Sequence, residues 1–172
     1  MATPLFISRN DIIKTTPLQG AIDADALLPF VATAQVKYLK NLLGTVLYDY
    51  LGEQILAGTV DDLSVYYQDL LADHIKPTLV WYACVEYIPF SSVQFKSNGA
   101  VKQKSETGDA PTKAELDYLL QKAQENGDYY ALRLQNYCIA YINELPQYLE
   151  SVGNQTQIYP DQTNQYFGGI QL

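Results

Sequence analysis

From Asp23 onward, apolar residues recur at helical spacing. Leu27, Val31, Ala34, Tyr38 and Leu42 form one stripe, which Leu28, Leu39 and Leu43 widen. Pro29 lies near the start of this helix, where proline is tolerated. Gly44 stops it and Thr45 can cap the next, which turns Leu47, Tyr50, Leu51 and Ile55 inward and ends at Gly58. A third helix after Asp61 carries Leu63, Tyr66, Tyr67, Leu70, Leu71 and Ile75 on one face, with Asp62, Asp69 and Asp73 on the other. Pro77 either kinks this helix or starts a fourth, running to Ile88 and apolar nearly all round; the spacing predicts that segment as the buried central helix, ended by Pro89.

Two stretches break the helical rhythm. Before Asp23, Pro4, Pro17 and Gly20 predict an extended arm with one short turn, in which Ser8 or Asn10 caps Asp11, Ile12 and Ile13. In the middle, FSSVQFKSNGAVKQKSETGD holds Asn98-Gly99, a strong signal for a tight hairpin turn. That turn would place Phe95 opposite Lys102 and Lys96 opposite Val101. Both arms are half polar, so the ribbon would be marginal without a partner. Thr112 and Glu115 then form a capping box, opening a helix through Leu116, Leu119, Leu120, Ala123, Tyr130, Leu134, Tyr137, Cys138, Tyr141 and Leu145, which is either broken or bent at Asn126-Gly127-Asp128 or continuous to Leu145. After Pro146 the chain turns polar, yet it carries Tyr159, Tyr166, Phe167, Ile170 and Leu172, apolar anchors that expect a partner. The expected fold class is mainly α: a helical bundle with one β-hairpin at 91–105 and extended N- and C-terminal arms. The arms take 1–22 and 146–172, and the helical domain takes 23–145.

Charge sharpens the picture. The 172-residue chain carries a net charge of -8, which argues against a sequence-independent nucleic-acid binder. Between Lys40 and Lys76 stand six acids, Asp49, Glu53, Asp61, Asp62, Asp69 and Asp73, and neither Lys nor Arg. The hairpin stretch instead gathers Lys96, Lys102 and Lys104. One interpretation is a solvated acidic face beside a lysine-protected edge. The other is a head-to-tail contact in which Phe95, Lys96, Asn98, Gly99, Val101, Lys102 and Lys104 of one copy meet Asp62, Asp69 and Asp73 of the next. Fifteen tyrosines, each a large apolar ring with a polar tip, lean the same way.

Chemistry is scarce. His74 is the sole histidine, beside an apolar stripe and with no cysteine or carboxylate at ligand spacing, which reads as a satisfied structural residue. Asp23/Asp25 and Asp61-Asp62 sit at helix starts, where exposed amides favour acids. Glu86 lies inside an apolar helix and expects a tyrosine, a backbone amide or a subunit seam, with a catalytic carboxyl as the sharper alternative. Cys84 and Cys138 lie in apolar patterns and suit buried thiols. No catalytic, cofactor-binding or metal-ligating residue is assigned. The first residues show no basic-then-apolar signal peptide, and the longest apolar run is too short to span a bilayer, so no membrane partner is expected.

The stretches FISRNDIIKTTPLQG, LLPFVATAQ, LKNLLGTVLYDYL, HIKPTLVWYACVEYIPF and YFGGIQL together resemble a family from phages of Bacteroidetes, including crAss-like gut phages. That family is similar to the head–tail connector, or neck adaptor, proteins of tailed phages. The resemblance implies a non-enzymatic virion protein at the portal vertex, made in the host bacterial cytoplasm. It would form a homo-oligomeric, twelvefold ring below the portal and touch portal and tail or neck proteins, with loops and a C-terminal arm for grip. DNA would pass through its channel without specific binding, and the acidic 41–75 segment would line either the channel or the seam. The alternatives are another neck or tail-completion ring protein, and a phage-encoded enzyme or regulator using Glu86 and His74.

Overall fold

The computed structural model describes residues 4–15, 24–91, 93–96, 99–102 and 112–153. Residues 24–43 form one continuous helix. It opens as α2 (Ala24–Ala34), passes through a widened π-helical stretch (Gln35–Leu39) and closes as α3 (Lys40–Leu43). Gly44, at φ 75°, ends it because only glycine enters that backbone region without strain. α4 (Thr45–Ala57) follows directly; Gly44 rather than Thr45 is its cap residue, and Gly58, at φ 69°, closes it with its N–H on the Gln54 and Ile55 carbonyls.

After a 3-10 turn (Val60–Asp62), residues 65–87 form a second continuous helix: α5 (Val65–Asp69), a π-helical stretch (Leu70–Ile75) and α6 (Lys76–Tyr87). Pro77 neither breaks it nor stands in an ordinary α turn. Its ring would crowd the carbonyl four residues back, and the wider π turn lies at that point. α6 is the central helix that its apolar run predicts, with Thr78, Leu79, Val80, Tyr82, Ala83, Cys84 and Val85 buried. It packs against α1, α2 and α7 and leads into a 3-10 turn, Ile88–Phe90.

α7 (Lys113–Ala140) is a single 28-residue helix, roughly 42 Å long at ~1.5 Å per residue. The capping box is present: the Glu115 amide donates to the Thr112 hydroxyl, and the Thr112 amide to the Glu115 carboxylate. Asn126-Gly127-Asp128 does not interrupt it, and it ends at Ala140 rather than at Leu145.

The helices among the described residues agree with a mainly α fold, but the expected class needs three corrections. Over residues 4–15, the described part of the N-terminal stretch, the chain is not an extended arm. Residues 9–15 form α1 (Arg9–Thr15), and Phe6, Ile7 and Ile12 are buried in the common core. The Phe6 amide donates to Gln35 Oε1 at 3.0 Å and Gln35 Nε2 donates to the Pro4 carbonyl at 2.8 Å, so one buried side chain satisfies the backbone of this segment. Ser8 caps α1, its hydroxyl accepting from the Asp11 amide.

The C-terminal arm likewise starts as helix. α8 (Pro146–Gly153) uses Pro146 at a first-turn position, where its missing N–H costs nothing, and buries Tyr148 and Ser151 against α4.

The third correction concerns the β-hairpin, which is not supported as an element of the fold. Only β1 (Val93–Lys96) and β2 (Gly99–Lys102) run antiparallel there, four residues a side, with Phe95 opposite Ala100 and Lys96 opposite Gly99. The partners are not those expected: Lys102 pairs with Val93 rather than Phe95, and Val101 with Gln94 rather than Lys96. Among the described residues no third strand joins them and they add no layer to the helical body; a ribbon this short buries too little to organise a fold.

Candidate functional site

The structure separates the residues that charge and pattern single out. Asp62 sits exposed in the 3-10 turn, while Asp69 and Asp73 are exposed on the 65–87 helix, away from its buried Leu70, Leu71 and Ile75. Phe95, Lys96, Gly99, Val101 and Lys102 fall on β1 and β2, whereas Asn98 and Lys104 lie outside the described residues. Tyr159, Tyr166, Phe167, Ile170 and Leu172 also lie outside them.

Glu86 is engaged by a tyrosine, as expected, and by a lysine to which the sequence did not point. Its Oε1 accepts from Lys37 Nζ at 2.6 Å and from the Tyr38 hydroxyl at 2.7 Å, both from the π-helical stretch of the 24–43 helix. The Tyr38 ring lies flat on the Tyr82 ring, with centroids 4.2 Å apart and planes 4° from parallel. The Tyr82 hydroxyl donates to Asp128 Oδ1 of α7 at 2.9 Å, which also accepts from Gln124 Nε2. One polar chain thus ties three helices together. Burial pushes the Glu86 carboxyl up, but the hydrogen bonds from Lys37 and Tyr38 outweigh it and hold the pKa below the usual range. Glu86 is therefore ionised at neutral pH and not poised as a general acid. The expected tyrosine partner is present; its identity was not legible, because 48 residues separate Tyr38 from Glu86.

Gly127 explains itself in the same place. A Cβ there would lie 2.9 Å from Tyr82 Cε1 and 3.0 Å from Cδ1, so the glycine lets the ring lie against the α7 backbone.

His74 departs from the expected satisfied histidine. Its Nδ1 is buried without a hydrogen-bond partner among the described residues, and its ring packs on Tyr137 at 4.3 Å. Burial lowers its pKa and Arg133 lowers it further, against smaller opposing pulls from Asp73 and Asp69. Tyr137 touches Tyr141 in turn, which touches Tyr66. Cys84 and Cys138 are both free and buried, and burial pushes each thiol up to about 12, so neither is an activated nucleophile. Among the described residues, no three of His, Cys, Asp or Glu come together as a metal-holding group, and no helix is long and apolar enough to cross a membrane.

Two apolar surfaces remain. An open cleft of about 470 Å³ lies between the N-terminal segment, α2, α4 and the 65–87 helix. Leu5, Leu28, Ile55, Val60 and Leu71 line it, and Lys76 and Asp11 stand in its wall 3.4 Å apart. Burial raises the Asp11 carboxyl, but the Ser8 amide and hydroxyl and Lys76 outweigh that and lower it overall. The second surface is the outer side of α7, where Tyr118, Tyr129, Leu132 and Ile139 are exposed.

A family model described as "Family of unknown function (DUF6712)" matches residues 39–160. The chain belongs to this family. The matched stretch of the DUF6712 chain spans α3 to α8, so α1 and the N-terminal wall of the cleft lie outside the match. No curated protein matches the chain, and no solved structure does.

Proposed function

We propose that the DUF6712 chain is a structural virion protein, a head–tail connector subunit that forms a ring below the portal and joins capsid to tail. The sequence resemblance to neck adaptors suggests the role. The observation that carries it from the structure is the placement of side chains. Glu86, the carboxylate open to a catalytic interpretation, is used between helices by Lys37 and Tyr38, while large apolar side chains stand on the outside. Such a body suits contacts made with other chains better than chemistry on a small substrate. In the ring, the exposed acids Asp62, Asp69 and Asp73 face the lysines Lys96, Lys102 and Lys104 of the next copy, which sets register and encounter rate more than affinity. Tyr159, Tyr166, Phe167, Ile170 and Leu172 dock on the portal or a neighbouring neck protein.

The test is quantitative mass spectrometry of purified, DNA-filled particles of the encoding phage, counting this chain against the portal protein. A ratio near one, or a small whole multiple, is expected for a symmetric ring. Absence from the particle would end the connector proposal.

A further inference from the structure

Tyr118, Tyr129, Leu132 and Ile139 are 60%, 59%, 48% and 55% exposed. At ~100° per residue they fall on one side of α7, opposite the buried Ala123, Gly127, Ala131, Leu134 and Cys138. Tyr118, Glu125, Leu132 and Ile139 are seven residues apart, so the row is a ridge nearly parallel to the helix axis. A solvated helix face does not need four large apolar side chains in register. The same chain offers an open apolar groove of about 470 Å³ elsewhere, room for two or three large side chains. α6 separates the two: Tyr82 points to Gly127 of α7, whereas Lys76 pairs with Asp11 of α1 beside the groove.

We propose that the outer ridge of α7 seats in the cleft of a second copy of this chain, head to tail. Charge agrees with that pairing. Glu125 in the ridge row is already held by Lys122 at 2.6 Å and by Gln121, so the complementarity lies in the segments that flank the two faces. β1, which carries Lys96, and α7 both lie against the 3-10 turn Ile88–Phe90, so the lysine-bearing stretch belongs to the ridge side. Asp61 and Asp62 directly follow Val60 of the groove wall, so the acids belong to the groove side. The ridge supplies the centre of such a contact and not all of it: four side chains, each about half exposed, present on the order of 400 Å², half of the ~800 Å² a standard interface buries per partner. A ridge meeting a different surface is a heterologous contact, which repeats and closes when its rotation allows. This deepens the ring proposal by naming the two faces, and rests on it for closure.

The experiment uses two full-length variants, Leu132→Asp on the ridge and Leu28→Asp in the groove. Leu132 is 48% and Leu28 38% exposed and neither belongs to the buried core, so the helical circular dichroism should match the parent. Ile139→Asp and Leu5→Asp replace them if either fails to fold. Sedimentation velocity of the parent should show association that grows past the dimer with concentration. Each variant alone should stay monomeric, at least tenfold weaker in self-association. An equimolar mixture should form a one-to-one dimer that grows no further, since only one intact ridge and one intact groove remain. A monomeric parent, a groove variant that self-associates like the parent, or a mixture without a dimer would overturn the contact. If particles still hold the chain at a whole multiple of the portal, the ring stands and its contacts lie on other faces.

Discussion

Replacing Gly127 by alanine sets two effects of opposite sign against each other. Gly127 lies in the interior of a 28-residue helix, where alanine is worth about 1 kcal/mol more than glycine in propensity. From the sequence alone the substitution should stabilise. The structure reverses the sign, because the new methyl would lie 2.9–3.0 Å from the Tyr82 ring edge. That ring cannot swing aside cheaply: Tyr38 stacks on one face at 4.2 Å and its hydroxyl is held by Asp128. Overpacking of this kind costs ~1–3 kcal/mol. The net is a loss of about 1 kcal/mol, or a Tm lower by ~2–4 °C for a chain of this size. Urea unfolding followed by Trp81 fluorescence and by circular dichroism measures it. The decisive control is the Tyr82→Val background, which removes the ring atoms in question. There the alanine should stabilise by ~1 kcal/mol, a coupling of about 2 kcal/mol between the two sites. If Gly127→Ala raises the parent's midpoint, or acts equally in both backgrounds, Tyr82 does not explain the glycine.

Gln35→Leu should cost about 2 kcal/mol, since it strands the Phe6 amide and the Pro4 carbonyl, and should speed amide exchange at Phe6; unchanged exchange there would refute the clasp. The sole histidine makes a direct titration simple, and NMR should place the His74 pKa below 6.5, with Arg133→Gln moving it up. Because the unfolded chain then binds the proton first, His74 contributes stability that is fully present above pH 6.5 and is lost as pH falls through its folded pKa. A folded pKa at or above 6.5 would contradict a half-buried ring held neutral.

Periodicity and local chemistry determined what depends on neighbours in sequence. The stripe from Leu27 to Leu43, the break at Gly44, the apolar run of α6 and the capping box at Thr112 were all legible, because helix formation, glycine termination and capping act within a turn or two. Local signals failed where a distant group overrode them. Pro4 and Pro17 suggested an extended N-terminal arm, but buried Gln35, about thirty residues away, satisfies that backbone and seats Phe6 and Ile7 in the core. Asn126-Gly127-Asp128 left open whether the helix breaks, bends or continues, and packing on Tyr82 turned the glycine into a contact. Pro146 looked like the start of a tail, but Tyr148 and Ser151 found α4. Asn98-Gly99 predicted strand partners other than those observed, since a ribbon without a core leaves its register weakly specified. The partners of Glu86, the orphaned nitrogen of His74 and the placement of ridge and groove on separate faces exist only once helices far apart in the chain are packed. Those were decided by the tertiary structure, because burial and long-range contact are properties of the folded surface and leave no mark in local spacing.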